Sequence, residues 1–275
     1  MLRTRILLLV SAVILVLIIF NLPKVVVDNE QPQLDQASDS TSTPQPTFQN
    51  EEHLPTLSEE NLTKATSLKE KLRLAKNTEK SLTFADSLAT LYLNADKYDS
   101  AAKFIEIIAE NNPTEGNILR AGDVYYEAYG FAMDPAKQVE MGAKARQFYT
   151  KILSKHPDNL EVKNKMAMTY LTTSNPMQGI AMLREILQED PKNESAIFNL
   201  GVLSMQSGQY DKAVERFSNL VEINPEHTQA QFFLGVSYLE TGQKDKARQQ
   251  FELVKTLDED PAVQATVDSY LEEIN

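Results

Sequence analysis

Three kinds of hydrophobic pattern follow one another along the chain. From Ile6 to Phe20 the residues are uncharged and almost wholly apolar. From Asp28 to Pro55 there is no apolar period and no Lys or Arg; the stretch is rich in Gln, Ser, Thr, Pro and acids, as in "DQASDSTSTPQPTFQNEEH". Beyond that, apolar residues recur three and four positions apart to the end of the chain, the spacing that lays one stripe along each of a series of helices. The final stretch, "DPAVQATVDSYLEEIN", places Val263, Val267, Tyr270, Leu271 and Ile274 on one face behind a helix start at Asp260 and Pro261.

Counted from Ile6 through Leu22, the first run reaches the lower limit of the roughly 17–25 residues that cross a bilayer as a helix. A cleaved secretory signal competes, since its apolar region is shorter. Cleavage wants small residues just after the run, and here the chain reads "IIFNLPKVVVD", which favours an uncleaved signal anchor over residues 6–22. Arg3 and Arg5 precede the run and only Lys24 follows closely, so the positive-inside bias puts residues 1–5 in the cytoplasm. The expectation is a single-pass inner-membrane protein whose folded part is exported, into the periplasm in a bacterium. Residues 23–56 then read as a flexible acidic tether, with too little apolar surface to order itself.

Within the helical region the chain repeats itself. "LGVLSMQSGQYDKA" begins at Leu200 and "LGVSYLETGQKDKA" at Leu234, with eight of fourteen positions identical. Leu200, Gly201, Gly208, Tyr210, Ala213, Phe217 and Pro225 mark one unit; Leu234, Gly235, Tyr238, Gly242, Ala247 and Phe251 mark the next. Upstream, Met166, Ala167, Tyr170, Leu183 and Pro191 form a weaker copy, loosened by Pro176 and Gly179, and Leu88, Ala89, Tyr92, Tyr98, Ala101, Ile108 and Pro113 another. Each unit reads as two antiparallel helices. The small residues sit where the helices approach closely, Gly208 and Gly242 end the first helix in the left-handed conformation, Asp211 and Asp245 suit the positive start of the second, and the prolines follow its end.

This pattern resembles the tetratricopeptide repeat, with Ile197 where the family often has tryptophan. The resemblance implies an all-α solenoid of five helix pairs, at residues 82–115, 116–159, 160–193, 194–227 and 228–261. Capping helices at 57–81 and 261–275 close the ends, as stacked repeats require. The second pair is stretched by about ten residues, which Asp134 and Pro135 split into two long helices forming a ridge; Tyr125, Tyr126, Tyr129 and Phe131 are expected to pack within it. The first cap, "LSEENLTKATSLKEKLRLAKN", is locally basic, a solvated face before it is anything else.

In this family the first helix of each pair lines the concave side. There a second apolar stripe accompanies the core stripe: Asn164, Met168 and Leu171, then Phe198, Val202 and Met205, then Phe232, Val236 and Leu239. Neighbouring repeats can bury such a stripe, but a helix apolar on more than one side needs more than one burial surface, so these nine residues are the candidate protein-binding groove. The equivalent slots of the first pair hold Asp86, Thr90 and Leu93, so the groove should run from polar to apolar. Asp86 and Thr90 also replace the Lys and Asn with which one family variant grips a chaperone's terminal carboxylate. The resemblance implies a non-enzymatic scaffold that binds a protein or peptide, in settings such as protein export, cytochrome c maturation or envelope assembly. The rival expectation is a self-associating structural protein.

Composition narrows the chemistry. A formal charge of −12 argues against nucleic acid as a partner. The absence of cysteine removes disulfides, thiolate metal sites and cysteine nucleophiles. His53, His156 and His227 lie far apart with no metal-binding spacing. No catalytic set, metal or cofactor is expected.

Overall fold

A computed structural model of the chain describes residues 57–274. The expected membrane segment at 6–22 and tether at 23–56 lie outside the described residues. Among those described, no helix is long and apolar enough to cross a membrane.

Twelve helices follow one another without a strand among the described residues: α1 Glu59–Leu74, α2 Thr78–Leu93, α3 Tyr98–Asn111, α4 Glu115–Phe131, α5 Pro135–Leu153, α6 Leu160–Thr169, α7 Pro176–Glu189, α8 Glu194–Gln206, α9 Tyr210–Ile223, α10 Thr228–Glu240, α11 Lys244–Leu257 and α12 Pro261–Ile274. Their starts are written in short polar side chains. Ser58, Asn77, Thr114, Asp134, Asn159 and Asn193 each accept a hydrogen bond from a backbone N–H of the first turn, satisfying donors that a helix start leaves unpaired. His227 does the same for α10 through Nδ1, 3.2 Å from the Ala230 N–H. Asn77 also explains why the first cap is shorter than expected. Its Oδ1 takes the Glu79 and Lys80 N–H groups, so α2 starts at Thr78 rather than near residue 82.

Each helix packs on its successor, and the first helices of later pairs also approach one another: α4 meets α6, α6 meets α8 and α8 meets α10. The result is an α-solenoid in which α1 and α12 cover the two ends. Its core is a continuous file of alanines and larger apolar side chains, with Tyr149, Phe217, Phe251, Leu88, Ile105 and Leu183 among the largest fully buried. Each such large apolar side chain contributes about 1.5–3 kcal/mol relative to exposure.

One contact organises three of the pairs. A Cβ added at Gly201 would lie 2.6 Å from the ring of Phe217, at Gly235 2.8 Å from Phe251, and at Gly122 2.7 Å from Tyr149. The first helix lacks a side chain where the second presents a ring. Gly208 and Gly242 take φ of +69° and +75°, ending the first helices as expected. In the first pair the same slot holds Asp96, at φ +55°.

The third pair departs from the expectation that Pro176 and Gly179 weaken it. Pro176 begins α7 at a position where its missing N–H is not needed. Gly179 sits so close to α6 that a Cβ would lie 2.3 Å from the Ala167 carbonyl oxygen. Both residues are what this crossing requires.

Candidate functional site

The nine candidate groove residues all fall on α6, α8 and α10 or in the turn after α6, but none is fully open. Asn164, Val202, Met205 and Val236 are buried; Met168, Leu171, Phe198, Phe232 and Leu239 are half-buried. Phe198 packs on Phe217 and Phe233 and stacks on His227, with ring centroids 5.9, 5.7 and 5.3 Å away. Phe232 packs on Phe233, Phe251 and Tyr270 at 5.6, 5.8 and 5.5 Å. Asn164 accepts a 3.1 Å hydrogen bond from Asn199 on α8. These contacts correct the expected openness: the second stripe is chiefly the seam joining each pair to the next, and Tyr270 extends it onto α12. What remains at the surface is a row of half-buried edges.

The polar part lies on α2, α4 and α6. Arg120 donates to Asp86 at 2.6 Å. Asp123 accepts from the Tyr149 hydroxyl at 2.9 Å and from Lys165 at 3.0 Å, and Lys165 also pairs with Glu161 at 2.9 Å. Burial opposes the charged form of Lys165, but Glu161 and Asp123 outweigh it and hold its pKa above the usual lysine value. Burial pushes the Tyr149 hydroxyl up, helped by Asp123. Tyr126 and Tyr129 stand next to this set, their rings 6.1 Å apart, with Tyr149 6.5 Å from Tyr126.

Leu119, Asp123 and Tyr126 bear the same spacing to Gly122 that Phe198, Val202 and Met205 bear to Gly201. Counting from the glycine therefore finds the second pair's face residues, which were absent from the candidate set because the stretched pair obscures the register. Glu127 follows Tyr126 and has no ion pair or hydrogen bond among the described residues. Its surface is exposed, but partial desolvation by its neighbours raises its pKa; Lys165 partly offsets this and Asp123 adds to it.

The long α4 and α5 also support their neighbours. The Tyr129 hydroxyl donates to the Met168 carbonyl at 2.9 Å, which also accepts the Leu171 N–H, and Arg146 donates to the Thr169 carbonyl at 2.6 Å at the end of α6. The Arg146 guanidinium lies over the Tyr170 ring at 4.8 Å. On the other side, Phe131 stacks on Tyr98 of α3 at 4.7 Å, Lys137 pairs with Asp99 at 2.5 Å and Lys144 with Glu106 at 2.7 Å. So Tyr129 and Phe131 serve the adjoining pairs, rather than packing only within the ridge as expected. The turn between α4 and α5 leaves Met133 84% exposed.

The tetratricopeptide repeat family model matches residues 174–221 and 204–268. Residues 174–268, about a third of the chain, match the tetratricopeptide repeat. Over 69 residues the chain is 32% identical to the BBSome complex member bbs-4 of Caenorhabditis elegans, a match covering 25% of this chain and 15% of that protein. Over 139 residues it is 27% identical to an uncharacterized protein, ycf37, of Cyanophora paradoxa, covering 50% of this chain and 75% of that one. A tetratricopeptide repeat protein from Parabacteroides merdae superposes with a TM-score of 0.55 at 18% identity, over 78% of this chain and 81% of the other, and so shares the fold. Among the described residues no cluster of His, Asp and Glu is arranged to hold a metal ion.

Proposed function

We propose that this protein is a membrane-anchored tetratricopeptide scaffold that captures a protein partner along the face formed by its first helices, with the repeat domain held on the exported side of the inner membrane. The carrying observation is that face itself: α4, α6, α8 and α10 lie side by side, with charged and tyrosine side chains at one end and half-buried Met168, Leu171 and Leu239 along the rest. A partner laid along it would cover apolar edges that neighbouring repeats leave half open, in the helix-in-groove or extended manner. No catalytic chemistry is assigned. The anchor and the exported topology rest on the run Ile6–Leu22 and its flanking charges.

The test places photocrosslinking residues at Met168 and Leu239 on the first-helix face, and at exposed Glu185 and Glu252 on second helices. Partners captured only from the first-helix positions are the expected result; identical partners from both sets would refute the reading. Phe198 and Phe232 are unsuitable positions, because a change there breaks the seam. Protease accessibility of a tag after Asn275 in intact and opened cells tests the topology. A second reading, self-association, draws support from exposed Met133 and half-open Phe131 and Val139 at the α4–α5 turn. Sedimentation of the full chain decides it: a monomer excludes this reading.

A further inference from the structure

We propose that copies of this chain join head to tail, the outer face of α12 on one copy receiving the outer face of α1 on the next, so that the two end helices complete a helix pair. The contact lies at the ends of the solenoid and is independent of what the first-helix face binds.

Each end of the solenoid is half of a pair. Ala213, Phe217 and Leu220 of α9 stand at the same distances from the end of their helix as Ala247, Phe251 and Val254 of α11, and all six are fully buried. Helix α1 precedes α2 as a second helix would. At those same distances from its end it carries Lys64, Leu68 and Lys71, two exposed lysines flanking a half-buried leucine. Helix α12 follows α11 as a first helix would. In α10, Gln231, Leu234 and Gly235 are buried, and Gly235 faces the Phe251 ring; their counterparts one repeat later, Ala265, Asp268 and Ser269, are exposed. So α1 lacks a first helix and α12 lacks a second. Within the fifth pair Phe251 meets Gly235, and Lys246 at the start of α11 lies over the Tyr238 ring at 5.2 Å. The same register between copies sets Leu68 on Ser269 and brings Lys64, in the place of Ala247, to Glu272, in the place of Tyr238.

The two faces are opposite in charge. Residues 64–76 carry five cations and one acid, and residues 258–274 six acids and no cation. Part of this charge is used internally: Arg73 pairs with Glu70, Lys69 lies over the Tyr92 ring, and Asp268 pairs with Lys255. Lys64, Lys71, Glu272 and Glu273 form no ion pair among the described residues. A polar outer face on a terminal helix serves solubility whatever its sign. Opposite signs at the two ends go further, favouring unlike ends and opposing like ones. Because two different faces meet, the assembly continues past a dimer.

The experiment is sedimentation of the full-length chain in non-ionic detergent across a range of concentrations. The average mass should rise past that of a dimer and fall as salt is added. Lys64→Glu with Lys71→Glu should weaken association about tenfold, as should Glu272→Lys with Glu273→Lys, since each sets like charges face to face. All four changes in one chain should restore it, which a folding defect could not do. A monomer at every concentration, or an assembly that stops at a dimer, overturns the proposal. So does an assembly indifferent to these reversals but lost with Met133→Asp, which assigns the contact to the α4–α5 turn. In membranes, a photocrosslinking residue at Ser67, exposed beside Leu68, should capture α12 of a second copy; capture of lipid or of another protein gives the face to that occupant and overturns the proposal. Crosslinking from Met168 and Leu239 is unaffected by any of these outcomes, so the first-helix reading stands or falls separately.

Discussion

In the fourth and fifth pairs one geometry is used twice: Gly201 receives the ring of Phe217, Gly235 that of Phe251, and Phe198 and Phe232 then close each pair onto its successor. The second and third pairs are held differently. There α4 and α5 are 17 and 19 residues long while α6 has only 10, and Tyr129 and Arg146 from the long helices donate to carbonyls at the end of the short one. Regular repeats are joined by rings in shape-matched holes, which need no partner chosen in advance. Unequal helices leave polar ends uncovered, and specific side chains must reach them. The regular seam consumes its apolar stripe in stacking, whereas the irregular one packs Tyr126 against Tyr129 and Tyr149.

The sharpest way to test this contrast is to remove a ring from the regular region. Phe217→Ala should lower stability by about 3–5 kcal/mol, measured by urea denaturation, because Phe217 is fully buried and touches both Phe198 and Phe233. Gly179→Ala should come next, at about 3 kcal/mol, the upper end of overpacking costs, since the clash is with a carbonyl oxygen that cannot turn aside. Gly201→Ala should fall below it, because the Phe217 ring can shift; the reverse order would mean that the α6–α7 crossing is the looser one.

Smaller effects probe the capping side chains. Arg146→Met should lower stability by about 2 kcal/mol, as expected for a charged donor lost from a part-buried carbonyl, and Tyr129→Phe by about 1 kcal/mol. If neither moves the denaturation midpoint, α6 does not depend on its neighbour. Asp96→Gly should stabilise by about 0.5–1 kcal/mol, because only glycine takes a positive φ without strain, while Gly208→Ala should destabilise by about 1–2 kcal/mol. The smallest effect belongs to Glu127. Its folded-state pKa is raised, so ionisation disfavours folding: the cost is absent at low pH and present above the folded pKa. Glu127→Gln should therefore be more stable at pH 7 by a few tenths of a kcal/mol, given its solvent exposure, and lose that advantage as pH falls to about 4.

Much of the helix register was legible, as Gly208 and Gly242, the cap at Asp134 and the prolines after α7 and α9 show, because each acts within a turn of its own position. The groove was less so. Phe198, Val202 and Met205 follow an i, i+4, i+7 pattern that is the same whether a partner or the next helix covers it, and here the next helix does. Asp96 was missed because a left-handed residue announces itself in sequence chiefly when it is glycine.

The period, the paired helices, their caps and the polar-to-apolar change along the first helices come from local pattern alone, since propensity and hydrophobic spacing act over a few residues. Tertiary packing decided which stripe stays open, which carbonyls Arg146 and Tyr129 reach, and which acid is left without a cation. Those contacts join residues 23 to 42 positions apart, and whether Lys165 pairs with Asp123 while Glu127 is left without a direct ion pair depends on how α4 and α6 are brought together, a relation that no single segment contains.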